Sequence, residues 1–160
     1  EELLVERLEV DGPDHPDTAM ARNNLANSLH AQGKYAEAET ENRAALAAWL
    51  PTIGEDHPFV AVARSGIAQT LLATGRPREA LAMAELAWKR QQRGDVPGSE
   101  PGETAFVLAR ILWSIEGDAR DRPRARDLAQ KSIAAYQTHG DIFLDEIDEI
   151  ESWLDAHRLP

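Results

Sequence analysis

The chain has no cysteine in its 160 residues, which excludes disulfides, thiolate nucleophiles and zinc–sulfur centres. No apolar run approaches the ~20 residues that a membrane-spanning helix requires. The opening residues, Glu1-Glu2-Leu3-Leu4, carry no basic segment of the kind that begins a secretory signal. Together these absences point to the cytoplasm. Positive charge is scarce, with 17 basic residues against 28 acidic ones and a formal charge of −11. That balance opposes nucleic acid and anionic membrane as partners, because both are held by clustered Lys and Arg. It is compatible with basic partners, and equally with acidity that only maintains solubility. No Gly-x-Gly-x-x-Gly, phosphate loop, nucleophile elbow or protein-kinase motif is present, so no enzyme, catalytic residue or cofactor is expected in this chain.

What the chain does have is a copy of itself 42 residues on. His15-Pro16 returns as His57-Pro58, Leu25-Ala26 as Ile67-Ala68, Leu29 as Leu71, and Gly33 as Gly75. Glu37-Ala38 returns as Glu79-Ala80, and Ala45-Leu46 as Ala87-Trp88. Repeats of this period are stacked supersecondary units, because one unit cannot bury its apolar face without a neighbour. Each unit reads as two helices and a tight turn. Pro16 suits a helix's first turn, where its missing N–H is no loss. Ala21, Leu25, Ala26 and Leu29 then recur at helical spacing until Gln32-Gly33. A second helix is expected over 35–49, with Ala38, Ala45, Leu46 and Trp49 buried, and Pro51, Gly54 and Pro58 punctuating the link. The next unit predicts helices over 58–73 and 77–92, then a loop over Gly94–Gly102.

A degenerate third unit follows. Phe106, Ala109 and Leu112 continue the pattern at an offset of 41 residues, and Ala125, Ala129 and Ile133 continue it at 45, with a lengthened turn through 117–123. A last helix is expected over 141–157, with Ile142, Ile147, Ile150 and Leu154 as its apolar stripe and acidic residues opposite. Such a helix closes a repeat stack by covering its final face. The predicted organisation is therefore a single domain: 1–14 as the end of an upstream repeat, repeats at 15–56 and 57–100, a degenerate repeat at 101–139, and a capping helix at 141–158. Leu4, Leu8, Gly12 and Asp14 match Leu46, Leu50, Gly54 and Asp56, so the chain reads as a fragment of a longer protein. Ala26 and Ala38 stand where helices cross, and replacing either by Leu is expected to destabilise by about 1–3 kcal/mol through overpacking.

These residues resemble the tetratricopeptide repeat in its 42-residue, kinesin-light-chain-like form. The matching text is Asp14-His15-Pro16, Ala21-x-x-x-Leu25-Ala26-x-x-Leu29, Gln32-Gly33-Lys34-Tyr35, Glu37-Ala38-Glu39 and Ala45-Leu46. The tail, Asp127-Leu128-Ala129 through Ile150-Glu151-Ser152-Trp153-Leu154, resembles the end of repeat regions in bacterial (myxobacterial) Ser/Thr protein kinases. One departure stands out: Glu41-Asn42 replaces a large apolar pair, implying either a shifted helix or a wetter seam. The resemblance implies an all-α, right-handed solenoid of antiparallel helix pairs, with a concave groove that takes extended peptides. Carried over by position, the groove would be lined by Met20, Asn23, Asn27 and His30, then Val62, Ser65, Gln69 and Leu72, then Phe106, Arg110 and Trp113. Asparagine amides both donate to and accept from a peptide backbone, while Arg110 offers a carboxylate contact and Trp113 an aromatic surface.

Other clusters have plainer readings. His15 and His57 lie one repeat apart, about 20 Å by two helix widths, too far to share an ion, and read as turn residues at helix starts. The acidic run 141–151 lacks a calcium-loop pattern and reads as a solvated face. Arg120, Arg122, Arg124 and Arg126 are a candidate anion site, offset by Asp118, Asp121 and Asp127. No metal site is expected. Three functional readings stay open. One is a non-catalytic module that binds a protein or peptide in the groove, as the C-terminal part of a bacterial signalling protein such as a kinase. Another is a purely structural module that stacks or self-associates through the N-terminal edge at Leu3, Leu4 and Leu8. The third is an autoregulatory module acting on an upstream catalytic domain.

Overall fold

A computed structural model describes residues 2–93, 100–116 and 121–159. The described residues form eight α-helices and no strand. In chain order these are α1 (Glu2–Val10), α2 (Pro16–Ala31), α3 (Tyr35–Ile53), α4 (Pro58–Ala73), α5 (Pro77–Gln91), α6 (Glu100–Ser114), α7 (Asp121–Gln137) and α8 (Leu144–Ala156). A single 3-10 turn, Gly140–Phe143, precedes α8. Helices pack as hairpins, α2 on α3, α4 on α5 and α6 on α7, and the first helix of each hairpin touches the first helix of the next.

The repeat is legible atom by atom in its turns. His15 and His57 cap α2 and α4: the Nδ1 of each accepts a hydrogen bond, 3.2 Å long, from the backbone N–H two residues on. Each is followed by a proline in the helix's first turn. Gly33 and Gly75 end those helices with φ of 75° and 73°, the left-handed region that favours glycine. Both turns close alike, Lys34 N–H to the Leu29 carbonyl at 2.9 Å and Arg76 N–H to the Leu71 carbonyl at 2.8 Å.

The expected boundaries differ from the structure in three places. Helix α3 runs past Trp49 to Ile53, carrying Pro51 in its last turns. The bond that Pro51 lacks is the one to the carbonyl of Ala47, an exposed residue. At the loop expected over 94–102, residues 94–99 lie outside the described residues, and α6 begins at Glu100 with Pro101 in its first turn. The C-terminal helix starts at Leu144 rather than 141. Its stripe is Ile147 and Ile150 with Trp153 and Leu154, whereas Ile142 is 78% exposed because the 3-10 turn puts it out of phase.

Two apolar clusters hold the stack. The larger runs through α4 to α8 and includes Ile67, Leu71, Leu108, Ile111, Leu128 and Ile150. The smaller, built around Trp49 with Ala19, Ala45, Ala48, Val60 and Ala63, joins α2, α3 and α4. Alanines dominate wherever helices cross: Ala26, Ala38, Ala45, Ala68, Ala80, Ala84, Ala87, Ala109 and Ala129 are all fully buried.

The Glu41-Asn42 departure is resolved as a polar seam. Arg22 pairs with Glu41 at 2.7 Å, and the Asn23 amide donates to the Asn42 side-chain carbonyl at 2.8 Å. Asn42 is 1% exposed and lies over Gly66, where an added Cβ would come within 2.6 Å of its amide nitrogen. Two polar residues in α3 are matched by two in α2, and a glycine in α4 makes room for them.

Candidate ligand-binding face

The helices α2, α4 and α6 lie side by side and form one face, and the residues expected to line a groove fall on it unevenly. Asn27 is exposed and Met20 half-buried against the smaller cluster. Asn23 is a correction: it is buried, with its amide committed to Asn42, because the polar pair in α3 draws it into the hairpin seam. His30 bridges neighbouring first helices, its Nδ1 3.1 Å from the Thr70 hydroxyl, and packs edge-on against Tyr35. Burial and then the charge of Arg110 lower its pKa below the ordinary imidazole value, while Glu103 opposes them.

Val62, Ser65 and Gln69 line a cavity of about 40 Å³ with Asn27, Gly66, Glu103 and Thr104. The Ser65 and Thr104 hydroxyls are 2.8 Å apart, and the Gln69 amide donates to Glu103 at 2.6 Å. Leu72 is half-buried against the larger cluster. Phe106 and Arg110 line a second cavity of about 290 Å³, between α6, α7 and α8. The Arg110 guanidinium sits 5.7 Å above the Phe106 ring. Trp113 is the second correction. It lies beneath α8, edge-on to Trp153 at 5.6 Å and to His157 at 4.9 Å, because the last helix needs an aromatic seat on α6.

The two cavities are the same place in successive repeats. Val62, Ser65, Gly66 and Gln69 of the first correspond, 41 residues on, to Glu103, Phe106, Val107 and Arg110 of the second. Gln69 and Glu103 belong to both, so the cavities adjoin. Each is also lined by one polar residue from the end of the hairpin's second helix, Gln91 in the first and Tyr136 in the second, 45 residues apart.

Those two residues were not expected to matter, and they are the most informative on the face. Gln91 is 2% exposed, and among the described residues neither its amide nitrogen nor its carbonyl oxygen has a hydrogen-bond partner. Tyr136 is 6% exposed, and among the described residues its hydroxyl makes no hydrogen bond. Burial raises the Tyr136 phenol well above its ordinary pKa, with the carboxylates of Glu103, Glu146 and Glu149 adding to the effect. Buried polar groups are nearly always paired, and an unpaired one costs about 1–3 kcal/mol. A sequence signal existed: small-x-x-x-large recurs as Ala45/Trp49, Ala87/Gln91 and Ser132/Tyr136 at the repeat offsets.

The remaining clusters are structural. Of the arginines considered as an anion site, Arg124 forms a two-point bridge to Glu85 at 2.6 and 2.8 Å, and Arg126 donates to the Leu154 and His157 carbonyls at 2.7 Å each. Arg122 stacks 5.1 Å over Trp113, and Arg120 lies outside the described residues. They point apart and do not assemble. A basic group that sequence reading passed over, Arg64, Lys89, Arg90 and Arg93, surrounds a recess of about 790 Å³. Three of the four are engaged there: Arg64 on Glu55 at 2.7 Å, Arg93 on Asp56 at 3.1 Å, and Arg90 on the Asp56 carbonyl. Asp11, His15 and Asp17 alone among the described residues have metal-like spacing. Asp11 is held by Arg7 at 3.1 Å and the His15 Nδ1 serves as a helix cap.

Hairpins stacked first helix to first helix, with a shared face and a covering last helix, define an all-α, tetratricopeptide-like repeat fold. The tetratricopeptide repeat family profile matches residues 17–93. A Podosopora anserina protein described as a kinesin light chain with nearly identical TPR-like repeats, and a single-substitution variant of it, each superpose with a TM-score of 0.65. Each is 18% identical, over 96% of this chain and 81% of that one, a likeness of fold alone. A comparison with curated proteins finds no match.

Proposed function

We propose that this chain is a non-catalytic protein-interaction module that holds an extended peptide segment along the face of α2, α4 and α6. Stacked helical repeats characteristically offer such extended binding surfaces. The observation that carries the reading is the Gln91 amide, buried and without a hydrogen-bond partner among the described residues, with the Tyr136 hydroxyl at the equivalent position of the adjoining cavity. An amide with one free donor side and one free acceptor matches a peptide group, which also carries one of each. Asn27, Gln69 and Arg110 supply further polar contacts along the same line. On the resemblance of its tail alone, we place the module in the regulatory part of a bacterial signalling protein.

The test is selection of random peptides against the intact chain, followed by affinity measurement on Gln91→Met and Asn27→Ala/Gln69→Ala. Peptides that lose about tenfold or more in affinity on these variants, while the fold stays native, support the reading. Binding that ignores both variants moves the ligand to another face.

A second reading has its own observation. A recess of about 480 Å³ at the N-terminal edge is lined by Leu3, Leu4, Leu25 and Leu29, with Leu3 half exposed. Its counterparts 42 residues on include Leu46, which is packed in both clusters. Self-association through that edge predicts a concentration-dependent mass in light scattering that Leu3→Lys abolishes.

A further inference from the structure

We propose that the cavity between α6, α7 and α8 takes a cationic side chain, a lysine ammonium or an arginine guanidinium, from the segment held on this face. The inference rests on the peptide-binding reading and gives its ligand a chemistry. Three carboxylates line the cavity against one cation, Arg110: Glu103 from α6, one oxygen of which already accepts from Gln69, and Glu146 and Glu149 from α8. Arg110 makes no ion pair among the described residues and rests on the Phe106 ring, so the carboxylates are not neutralised from within. Phe106, Val107 and Ile150 provide an apolar lining, suited to the methylene stem of a long basic side chain.

The acidic group does not stand alone. Tyr136, more than nine-tenths buried, lines the same cavity with a hydroxyl that no described residue satisfies. A cationic N–H donor entering the cavity would be accepted by that oxygen, while the hydroxyl proton remains free for a carboxylate. Charge-assisted hydrogen bonds of this kind are roughly twice as strong as neutral ones. An acidic ligand group would instead meet three like charges around a single arginine. The adjoining small cavity differs in kind. Of the equivalent positions in α4 it holds Val62, Ser65 and Gln69, and of the three carboxylates it shares only Glu103, without Glu146 and Glu149. The charge preference therefore belongs to the C-terminal cavity.

The experiment is a titration of the full chain, followed by amide NMR shifts, with acetyl-arginine amide, acetyl-lysine amide, acetyl-norleucine amide and acetyl-glutamate amide. The basic probes are expected to give saturable shifts centred on Glu103, Phe106, Tyr136 and Glu146, and the neutral and acidic probes none there. Glu146→Gln/Glu149→Gln, both exposed at the rim of the cavity, should weaken the basic probes by about tenfold. Tyr136→Phe, which keeps the ring, should weaken them by about two- to tenfold, the loss of one hydrogen bond. The inference is overturned if no basic probe saturates at this cavity up to its solubility limit. It is equally overturned if the double variant binds as well as the native chain, or if the acidic probe binds there better. Should selected peptides bind the face yet ignore Glu146→Gln/Glu149→Gln, this inference fails and the peptide-binding reading stands. Should the basic probes saturate here while no peptide binds, the peptide-binding reading fails instead.

Discussion

Trp49, Gln91 and Tyr136 occupy one position of three successive repeats, and they meet three different fates. Trp49 is fully buried, its indole N–H donates to the Pro16 carbonyl at 3.2 Å, and its ring packs 5.4 Å from Phe59. Gln91 fills the same station with an amide that bonds to none of the described residues. Tyr136 returns to an aromatic ring, packed 5.0 Å from Phe143, but leaves its hydroxyl unpaired beside a cavity. The first repeat spends this position entirely on packing. The second keeps an unsatisfied amide there, a cost to stability, and the third keeps a hydroxyl beside a cavity, which is the pattern expected where a group serves a ligand rather than the fold.

The largest effect tests the packing end of that comparison. Trp49→Ala removes the centre of the smaller cluster, and urea denaturation should show a loss of about 3–5 kcal/mol. A loss below ~1 kcal/mol would mean the cluster collapses around the gap and that Trp49 is not the wedge between α2, α3 and α4.

Gln91→Met should act in the opposite direction. It removes two unsatisfied polar atoms at similar side-chain volume, and is expected to raise stability by about 1–3 kcal/mol. The same variant is expected to weaken a bound peptide. Higher stability with unchanged peptide affinity would leave the amide as a mere imperfection and break the functional side of the comparison.

How far the sequence alone reaches is itself instructive. Its 42-residue offset located the hairpins, their His-Pro starts and their glycine turns, because these depend on a few local residues with strong backbone preferences. It misplaced Ile142, because a 3-10 turn changes helical phase and no residue type announces one. The candidate site was legible in part. Asn27, Val62, Ser65, Gln69, Phe106 and Arg110 do line the two cavities. Asn23 and Trp113 do not, since each is claimed by a tertiary partner, Asn42 in one case and α8 in the other. Gln91 and Tyr136 lie on second helices, which a groove built from first helices leaves unsearched.

A smaller effect separates the polar seam of the first repeat from the apolar seam of the second, where Met83 and Ala84 replace Glu41 and Asn42. Gly66→Ala places a methyl group 2.6 Å from the Asn42 amide nitrogen, so it should destabilise the native chain despite alanine's better helix propensity. In an Asn42→Ala background the obstruction is gone. There the same substitution should stabilise by about 0.5–1 kcal/mol, the usual advantage of Ala over Gly within a helix. A reversal of sign across this cycle would establish that Gly66 is kept for Asn42. Equal signs would detach the two.

The smallest effect concerns His30, whose counterpart one repeat on is Leu72. His30 bonds Thr70 across α2 and α4, and burial, with Arg110, lowers its pKa below the unfolded value of about 6.5. The neutral ring is therefore the form the fold prefers. Its contribution is complete above the unfolded pKa, and it declines as pH falls from there through the lowered folded pKa, where the unfolded chain binds the extra proton. The midpoint of thermal unfolding should accordingly rise between pH 5 and pH 7, and part of that slope should vanish in His30→Gln, which keeps a hydrogen-bonding group but cannot titrate. If the slope is unchanged in the variant, His30 does not carry the pH dependence. The bridge between α2 and α4 would then be as indifferent to protonation as the Leu72 position that replaces it.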